Sequence, residues 1–226
     1  MADEINSYGE YPGSFRLWLV RHGATAWNAE GRFCGTSDIP LSPQGEQQAR
    51  WLSQQLPPTN IAAIYSSDLL RARQTAAQIA PQLPLQSTAL WRELAFGRWE
   101  GLTYAEITAL PENDLRFFSD ALHFSPPGGE SLTALDQRVQ QAFTLLVAAT
   151  HAHKSPCDVV LVSHGGPLRV LLCQLLHVPL PYQWQFQLAP GSLSALDLSP
   201  IPGAELPVAS LALFNVQPPF AAVKEN

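Results

Sequence analysis

The sequence predicts an α/β fold, a three-layer α/β/α sandwich built on a mostly parallel sheet with an antiparallel edge. Strand and helix signals alternate along most of the chain, which is the pattern of parallel strands joined by crossover helices. Hydrophobic residues make up 46% of the 226 residues and charged residues 14%, so the chain can bury a large core. We expect one domain over residues 14–216, with tails at residues 1–13 and 217–226.

The first half of the domain is predicted to contain two strand–helix units. The first strand covers residues 15–20, and Ser42 and Pro43 then provide the N-cap and the first position of a helix. The second strand covers residues 61–65. A helix follows it, and its apolar side carries four residues at helical spacing: Leu69, Ala72, Ala76 and Ile79.

The second half begins with a long amphipathic helix that is predicted to start near Ser131. The clearest strand of the chain follows at residues 158–162, and Pro167 is expected to open the next helix. Two late strands, at residues 193–198 and 208–214, are expected to add antiparallel strands at the edge of the sheet.

Charge and hydropathy exclude several classes of partner. The net charge of −6 disfavours nucleic acid, because a phosphate backbone requires a basic protein face. No apolar run reaches the roughly 18 residues that a membrane-spanning helix needs. Residues 1–13 also lack the basic and apolar regions of a signal peptide. We therefore predict a cytoplasmic protein that binds neither nucleic acid nor a membrane.

Metal and cofactor motifs are absent from the sequence. The three cysteines, Cys34, Cys157 and Cys173, are scattered, which disfavours a zinc site or a disulfide framework. No dinucleotide-binding glycine pattern follows the first strand, and no phosphate-loop lysine motif occurs. We expect the protein to use no metal and no cofactor.

Two histidines occur where predicted strands end. His22 lies in Arg21-His22-Gly23 after the first strand, and His164 lies in Ser163-His164-Gly165-Gly166 after the clearest strand. In open α/β sheets the ligand crevice lies outside the carboxyl ends of the strands, so both imidazoles are expected to face one site. Either histidine alone has a structural explanation, a hydrogen-bonded side chain near the surface, but the pair favours a functional site.

The surroundings of these histidines predict a site for an anion. Gly165 and Gly166 permit close backbone approach to a ligand, and the helix after them directs free N–H groups towards it. A phosphoryl group also requires guanidinium groups, which bind its oxygens in pairs. Arg21 and Arg71 are the candidates, although Arg71 taken alone could be a solvated helix arginine.

Release of an alkoxide from phosphorus requires a proton donor, and Glu93 is the candidate. Glu93 lies among apolar residues, within residues 92–97, close to a predicted strand end. A carboxylic acid in such surroundings can serve as a general acid. The simpler alternative for Glu93 is a loop acid that faces solvent.

Five short blocks, spread over about residues 16 to 200, occur in a fixed order along the chain. They are residues 19–23 (LVRHG) with Thr25 and Asn28, residues 66–72 (SSDLLRA) with residues 74–76 (QTA), Glu93 with residues 97–101 (GRWEG), residues 128–131 (GGES) and residues 162–166 (VSHGG). In this combination the sequence resembles the histidine phosphatase superfamily, which includes cofactor-dependent phosphoglycerate mutases, acid phosphatases and α-ribazole phosphatases. The resemblance implies a phosphoglycerate mutase-like fold and a metal-independent phosphatase.

The resemblance also implies a role for each catalytic candidate. His22 would attack phosphorus and carry the phosphoryl group as phosphohistidine. Arg21, Arg71 and His164 would hold the phosphoryl oxygens and stabilise the charge of the transition state. Glu93 would protonate the leaving oxygen and then activate the water that releases phosphate.

Five further residues are candidates for substrate binding. The resemblance implies that Asn28 and the Gly165 backbone would donate hydrogen bonds to the phosphoryl group, and Thr25 is a further candidate for substrate binding. Residues 103–129 are expected to cap the site and to select the leaving group. If the aromatic residues of this segment face inward, a base or a sugar is favoured, whereas an inward Arg116 or His123 would favour a carboxylate.

The choice among members of the family depends on a few positions. Similar phosphoglycerate mutases carry an arginine after the catalytic glutamate and a tyrosine shortly beyond it, where this chain has Leu94 and Phe96. Residues 96–101 and 183–197 instead resemble α-ribazole phosphatases. We therefore predict hydrolysis of a small phosphorylated metabolite, with α-ribazole 5′-phosphate as the best candidate. Phosphoserine phosphatase, cofactor-dependent phosphoglycerate mutase and a non-catalytic phospholigand-binding module stay open as alternatives, as does a homodimeric assembly.

Overall fold

The computed structural model describes residues 13–56, 61–111, 115–150, 157–201 and 207–219. The tails predicted at residues 1–13 and 217–226 lie outside the described residues, except for Gly13 and residues 217–219. The domain boundaries next to these tails therefore stay predictions.

Six strands of the described chain form the central sheet. They are β1 (Phe15–Arg21), β2 (Ile61–Ser67), β3 (Leu85–Thr88), β4 (Cys157–Ser163), β5 (Leu193–Ser199) and β6 (Val208–Val216). Their order across the sheet is β3-β2-β4-β1-β5-β6. The pairs among β1, β2, β3 and β4 are parallel, whereas β5 and β6 are antiparallel additions at one edge. The predicted sheet, mostly parallel with an antiparallel edge, is confirmed.

Six α-helices connect or flank these strands in the described residues. They are α1 (Ala26–Ala29), α2 (Pro43–Gln55), α3 (Leu70–Ile79), α4 (Tyr104–Thr108), α5 (Leu132–Thr150) and α6 (Gly165–Leu175). The predicted starts of α2 at Pro43 and of α5 near Ser131 agree with these bounds. None of these helices is long and apolar enough to cross a membrane.

Helices cover both faces of the sheet, because side chains along a strand alternate between its faces. In β1, Leu17 and Leu19 belong to the core that the sheet shares with α5 and α6. Trp18 and Val20, on the opposite face, belong to a second core shared with α2 and α3. Helix pair, sheet and helix pair are the three layers that the sequence predicts.

Some local boundaries differ from the sequence-based expectation. Helix α6 begins at Gly165, with His164 as its N-cap, two residues before the predicted start at Pro167. A proline is tolerated anywhere in the first turn, because no N–H group there has an acceptor within the helix. The elements α1, α4 and β3 have only four or five residues each. Such short elements show no clear hydrophobic period in the sequence.

Candidate active site

The parallel pairing of β1 and β4 brings His22 and His164 together. Arg21 is in register with Ser163, and both strands end there. The His22 N–H donates a hydrogen bond of 3.0 Å to the Ser163 carbonyl. Both imidazoles are buried, and their ring centroids lie 4.9 Å apart in a T-shaped arrangement. The two histidines thus face one site at the carboxyl edge of the sheet, as the sequence predicts.

Arg71 lies between the two imidazoles. Its side chain comes from the first turn of α3 and is fully buried. The Arg71 Nε–H group points at His22 Nε2, at 3.3 Å, and at His164 Nδ1, at 3.2 Å. A guanidinium is a donor only, so both imidazole nitrogens must present lone pairs to it.

These contacts determine the tautomer of each histidine. The Nδ1 atom of His22 lies 2.7 Å from the Gly23 carbonyl, which can only accept, so Nδ1 carries the proton and Nε2 the lone pair. In His164 the acceptor is Nδ1, so the proton resides on Nε2. The His164 Nε2 atom is buried and has no hydrogen-bond partner among the described residues. A buried donor without an acceptor is unfavourable, and a ligand oxygen would satisfy it.

Burial keeps both histidines uncharged. It lowers the pKa of His22 well below its ordinary value of 6.5, and the cations of Arg71 and Arg21 lower this pKa further. The pKa of His164 is also lowered well below 6.5, chiefly by burial and next by Arg71. Near neutral pH, His22 therefore offers an uncharged Nε2 lone pair, which is the form that can act as a nucleophile.

A loop of backbone carbonyls holds the far end of Arg71. We call residues 34–37 the clamp loop. One terminal nitrogen of Arg71 (Nη1) donates to the Ser37 carbonyl at 2.8 Å. The other (Nη2) donates to the carbonyls of Gly35, at 2.8 Å, and Cys34, at 3.3 Å. Burial lowers the pKa of Arg71, and the carboxylates of Glu93 and Glu100 oppose this effect. An arginine stays charged at neutral pH even so.

Glu93 lies against the N-terminus of α6, next to His164. The Gly166 N–H donates to both of its carboxylate oxygens, at 3.0 and 3.2 Å, and the Leu94 N–H donates to Oε1 at 2.9 Å. These hydrogen bonds fix the position of the Glu93 carboxyl group. A Cβ atom at Gly166 would overlap Glu93 Oε1, so the approach requires a glycine. The sequence predicts that Gly166 permits the close approach of a ligand; in the structure its N–H group binds Glu93.

The remaining candidates for phosphoryl contact have different positions. Arg21, Asn28 and Gly165 line the same cavity as His22 and Glu93. Arg21 donates to the Leu188 carbonyl, and the Asn28 side-chain oxygen accepts from the backbone and hydroxyl groups of Thr25, each at 3.0 Å. Thr25 is fully buried as the N-cap of α1 and does not line the cavity. Its position indicates that it orients Asn28.

A cavity of about 440 Å³ extends from these groups to the surface. Its walls are largely apolar, and the Phe and Trp rings that line it are Phe33, Phe96, Phe117, Phe118 and Trp184. The rings of Phe118 and Trp99 are stacked, with centroids 4.9 Å apart and an angle of 7° between their planes. The predicted cap segment, residues 103–129, therefore contributes Phe117 and Phe118 to the cavity; its residues 112–114 lie outside the described chain.

The two polar candidates of the cap segment lie outside this cavity. Arg116 is exposed, and its guanidinium covers the Phe124 ring at 4.0 Å. His123 bonds Asp120 at 2.8 Å, and its side chain is 75% exposed. Neither residue lines the cavity, so the structure does not bring them to the site where the sequence expects them.

The sequence does not predict two arginines that line the cavity wall. Arg169 lies one helical turn after Gly165, and its guanidinium covers the Trp184 ring at 5.1 Å. Because residues four apart share a helix face, this spacing was a signal that could have identified Arg169. Arg32 lies in a loop and pairs with Glu30 and Glu106, at 2.6 and 3.0 Å. No periodic pattern marks Arg32.

Other chemistry at the site has less support. Cys34 lines the cavity, but burial raises the pKa of its thiol to about 11, so it is not a thiolate near neutral pH. All three cysteines are free. Within the described ranges, no three or more His, Cys, Asp or Glu side chains cluster in a way that could hold a metal ion.

The sequence and the fold of this chain are similar to those of known proteins. A profile of the histidine phosphatase superfamily (branch 1) matches residues 17–202. The chain is 32% identical over 187 residues to the adenosylcobalamin/α-ribazole phosphatase of Escherichia coli K12, a match that covers 81% of this chain and 90% of that protein. It is 35% identical over 186 residues to phosphoserine phosphatase 1 of Hydrogenobacter thermophilus, covering 81% and 86%. The crystal structure of the α-ribazole phosphatase from Shigella flexneri aligns with a TM-score of 0.77 at 30% identity, over 89% of this chain and 96% of that one.

Replacing Gly166 with alanine should lower kcat by about 10²-fold, the scale of a lost general acid–base group. The added Cβ would overlap Glu93 Oε1 and displace the carboxylate from the N-terminus of α6. The measurement is steady-state hydrolysis of p-nitrophenyl phosphate. Gly31→Asn is the control, because Gly31 has open space around it and a φ of 64° that asparagine tolerates. Equal loss of activity in both variants would contradict a specific displacement of Glu93.

The buried histidines should make folding stability depend on pH. In the unfolded chain each imidazole takes up a proton near pH 6.5, whereas in the folded protein it stays neutral until the pH reaches its lowered pKa. The contribution of the two histidines to the free energy of unfolding is therefore fully present above pH 6.5, and it is lost as the pH falls from 6.5 towards their lowered pKa values. His22→Asn should flatten this slope by up to about 1.4 kcal/mol per pH unit, as measured by urea unfolding between pH 5 and 7.

The control for this slope is an exposed histidine. His123→Asn removes an imidazole that is 75% exposed and should leave the slope of stability against pH close to that of the wild-type protein. If the slope for His22→Asn were as steep as that for the wild-type protein, the conclusion that folding lowers the pKa of His22 would be wrong.

Proposed function

The chain belongs to the histidine phosphatase superfamily (branch 1) and is a phosphatase, and we propose that it hydrolyses a small phosphomonoester through a phosphohistidine on His22. One observation carries this proposal: the lone pair of an uncharged His22 Nε2 lies 3.3 Å from the buried Arg71 Nε–H group, beside the ring of His164, whose Nε2 donor has no acceptor in the described structure. A nucleophile beside fixed donors is the arrangement that phosphoryl transfer requires.

Binding of the phosphoryl group would replace the contacts that the imidazoles now make to Arg71. Its oxygens would accept from the Arg71 Nε–H and from the His164 Nε2–H, which has no acceptor in the described structure. Arg21, Asn28 and the Gly165 N–H line the same part of the cavity and would bind the remaining oxygens. Two guanidinium charges would then offset the charge of a phosphate dianion.

The first chemical step forms the phosphohistidine. The His22 Nε2 lone pair attacks phosphorus, the bond from phosphorus to the ester oxygen breaks, and that oxygen leaves with the bonding electrons. Glu93, which lines the cavity beside His22, donates a proton to the leaving oxygen. The hydrogen bond from His22 Nδ1 to the Gly23 carbonyl stabilises the positive charge that the ring acquires.

The second step reverses the roles of these groups. Water attacks the phosphohistidine while Glu93 takes its proton, the bond between phosphorus and Nε2 breaks, and its electrons return to Nε2. Orthophosphate leaves, and His22 is again neutral because its pKa is held low by burial. Every proton transfer in this scheme uses side chains of the site, so we propose that hydrolysis proceeds without a metal ion.

The aromatic wall of the cavity supports a base or a sugar as the leaving group. Phe117 and Phe118 of the cap segment line the cavity, whereas Arg116 and His123 do not. A volume of about 440 Å³ also falls within the range of pockets that enclose drug-sized organic molecules. These features, together with the α-ribazole phosphatase relatives, favour α-ribazole 5′-phosphate, which carries an aromatic base on a sugar.

Phosphoserine is the second candidate, and one feature of the cavity favours it. Arg169 and Arg32 lie in the wall, where a guanidinium could bind the carboxylate of phosphoserine. Arg32 is paired with the carboxylates of Glu30 and Glu106. Arg169 donates to the Phe186 carbonyl at 3.1 Å and lies one turn after Gly165, so we propose it as the group that would bind the carboxylate. A phosphoserine phosphatase is also among the relatives of this chain.

Substituting His22 by alanine should lower kcat by about 10⁴-fold or more, since the nucleophile is lost. Rapid mixing of the wild-type enzyme with ³²P-labelled substrate should yield a labelled protein whose phosphate is stable in alkali and labile in acid, as expected for phosphohistidine. His177→Asn is the matched control, because His177 is exposed and its φ of 55° suits asparagine. Substantial turnover by the His22→Ala enzyme would exclude the phosphohistidine route.

A substrate panel should separate the candidate functions. We expect kcat/KM for α-ribazole 5′-phosphate to exceed that for phosphoserine, 3-phosphoglycerate and sugar phosphates by at least about 10-fold, with no change when EDTA is present. Phe118→Ala should raise KM for α-ribazole 5′-phosphate more than KM for phosphoserine, because it removes part of the aromatic wall.

The alternatives predict other results from the same panel. Highest kcat/KM for phosphoserine would favour the second candidate, and formation of 2-phosphoglycerate from 3-phosphoglycerate would indicate a mutase. Tight binding without phosphate release from any ester would indicate a non-catalytic phospholigand-binding module. Loss of activity in EDTA would contradict metal independence.

A further inference from the structure

The carboxylate of Glu100 accepts an unusual number of hydrogen bonds. Glu100 follows a short 3₁₀ helix at Gly97–Trp99 and does not line the cavity. Four backbone N–H groups donate to it. Three belong to the clamp loop: Gly35 at 3.2 Å, Thr36 at 2.9 Å and Ser37 at 3.4 Å. The fourth is the Phe96 N–H, at 3.3 Å. The Ser37 hydroxyl adds a fifth bond of 2.7 Å.

The same clamp loop holds Arg71 on its opposite side. Its N–H groups point at Glu100, while its carbonyl groups accept from the Arg71 guanidinium. An anion at the N–H side and a cation at the carbonyl side polarise these peptide groups in one direction, which strengthens both sets of hydrogen bonds. A Cβ at Gly35 would overlap Glu100 Oε1, so the close approach depends on a glycine at this position.

Other contacts anchor the chain that follows the clamp loop to α3, the helix that carries Arg71. The Asp38 side chain accepts from the Leu70 N–H at 2.5 Å. The Leu41 N–H donates to the Gln74 side chain at 2.9 Å. The loop is thus attached to α3 on one side, and Glu100 provides its attachment on the other side.

We propose that Glu100 is a positioning residue that orients Arg71 for catalysis by organising the clamp loop. This inference rests on the proposed role of Arg71 in binding the phosphoryl group. A guanidinium on a flexible side chain contributes most when its donors are fixed in advance at the transition state. The carbonyls of Gly35 and Ser37 provide that fixation, and Glu100 keeps them in place.

The role predicts energetic coupling between Glu100 and Arg71. If Glu100 acts through Arg71, its replacement should harm the wild-type enzyme but have little further effect once Arg71 is gone. If Glu100 only stabilises the fold, its replacement should change the melting temperature without a specific link to Arg71. A double-mutant cycle distinguishes these two cases.

The experiment measures kcat and KM for p-nitrophenyl phosphate, and inhibition by orthophosphate, in Glu100→Gln, Arg71→Ala and the double variant. Glutamine keeps the size of the side chain but loses the charge and turns one acceptor into a donor that faces N–H groups. Glu100→Gln alone should lower kcat by about 10-fold or more and weaken orthophosphate inhibition. In the Arg71→Ala background the same change should lower kcat by less than about twofold.

Two further variants keep this test informative. Ser37→Ala removes only the hydroxyl donor to Glu100, and it replaces Glu100→Gln in the cycle if that variant does not fold. Ser37→Ala should lower kcat by a smaller factor, and this loss should also disappear in the Arg71→Ala background. Asp136→Asn is the matched control, a half-buried carboxylate that accepts from Gln174 on α6 and lies outside the cavity. It should leave kcat unchanged, whatever its effect on the melting temperature.

The outcomes separate this inference from the proposed function. Equal losses of kcat from Glu100→Gln in both backgrounds, or a lowered melting temperature with unchanged kcat, would overturn the role of Glu100 while leaving Arg71 as a phosphoryl-binding group. Full activity of Arg71→Ala would instead overturn the proposed role of Arg71, and the inference about Glu100 with it.

Discussion

The burial of one guanidinium group between two neutral imidazoles is the interaction on which the site depends. Removing an arginine from water is costly unless its donors are satisfied. The donors of Arg71 are satisfied by backbone carbonyl oxygens and imidazole nitrogens. Among the described residues, no carboxylate lies within salt-bridge distance of its guanidinium. Its charge is not neutralised by a carboxylate, and it adds to the effect of burial, which lowers the pKa of both histidines. The site therefore favours an anion. In the proposed reaction a phosphoryl group provides that anion.

The sheet makes this arrangement possible by placing distant residues of the chain side by side. Strands β1 and β4 are parallel neighbours and end at the same level, so the residues that follow them, His22 and His164, emerge at one edge. The adjacent strand β2 leads into α3 and brings Arg71 to the same edge. Each residue follows a buried strand whose position is set by the core, and this gives the nucleophile and its partners little freedom to move.

The sequence predicts the two histidines that follow regular strands, and it misses the contacts of the clamp loop and of Arg32 in irregular segments. It also misses Arg169, although that residue lies on α6. His22 and His164 could be recognised because strong apolar strands precede them. The clamp loop and Arg32 lie in a segment without a hydrophobic period, so no pattern indicated their contacts. The direction of Arg116 and His123 could not be predicted either, because the packing of Phe117 and Phe118 against distant Trp99 determines how the cap segment lies.

One short turn supports both the chemistry and the recognition of the leaving group. Trp99 is fully buried and stacks on Phe118 of the cavity wall, while the next residue, Glu100, holds the clamp loop that grips Arg71. Phe118 itself is 38% exposed, so its substitution removes contact with a leaving group but little of the core. Under the proposed function, a change at Phe118 would alter the choice of substrate while Arg71 stays in place, whereas a change at Trp99 would disturb both.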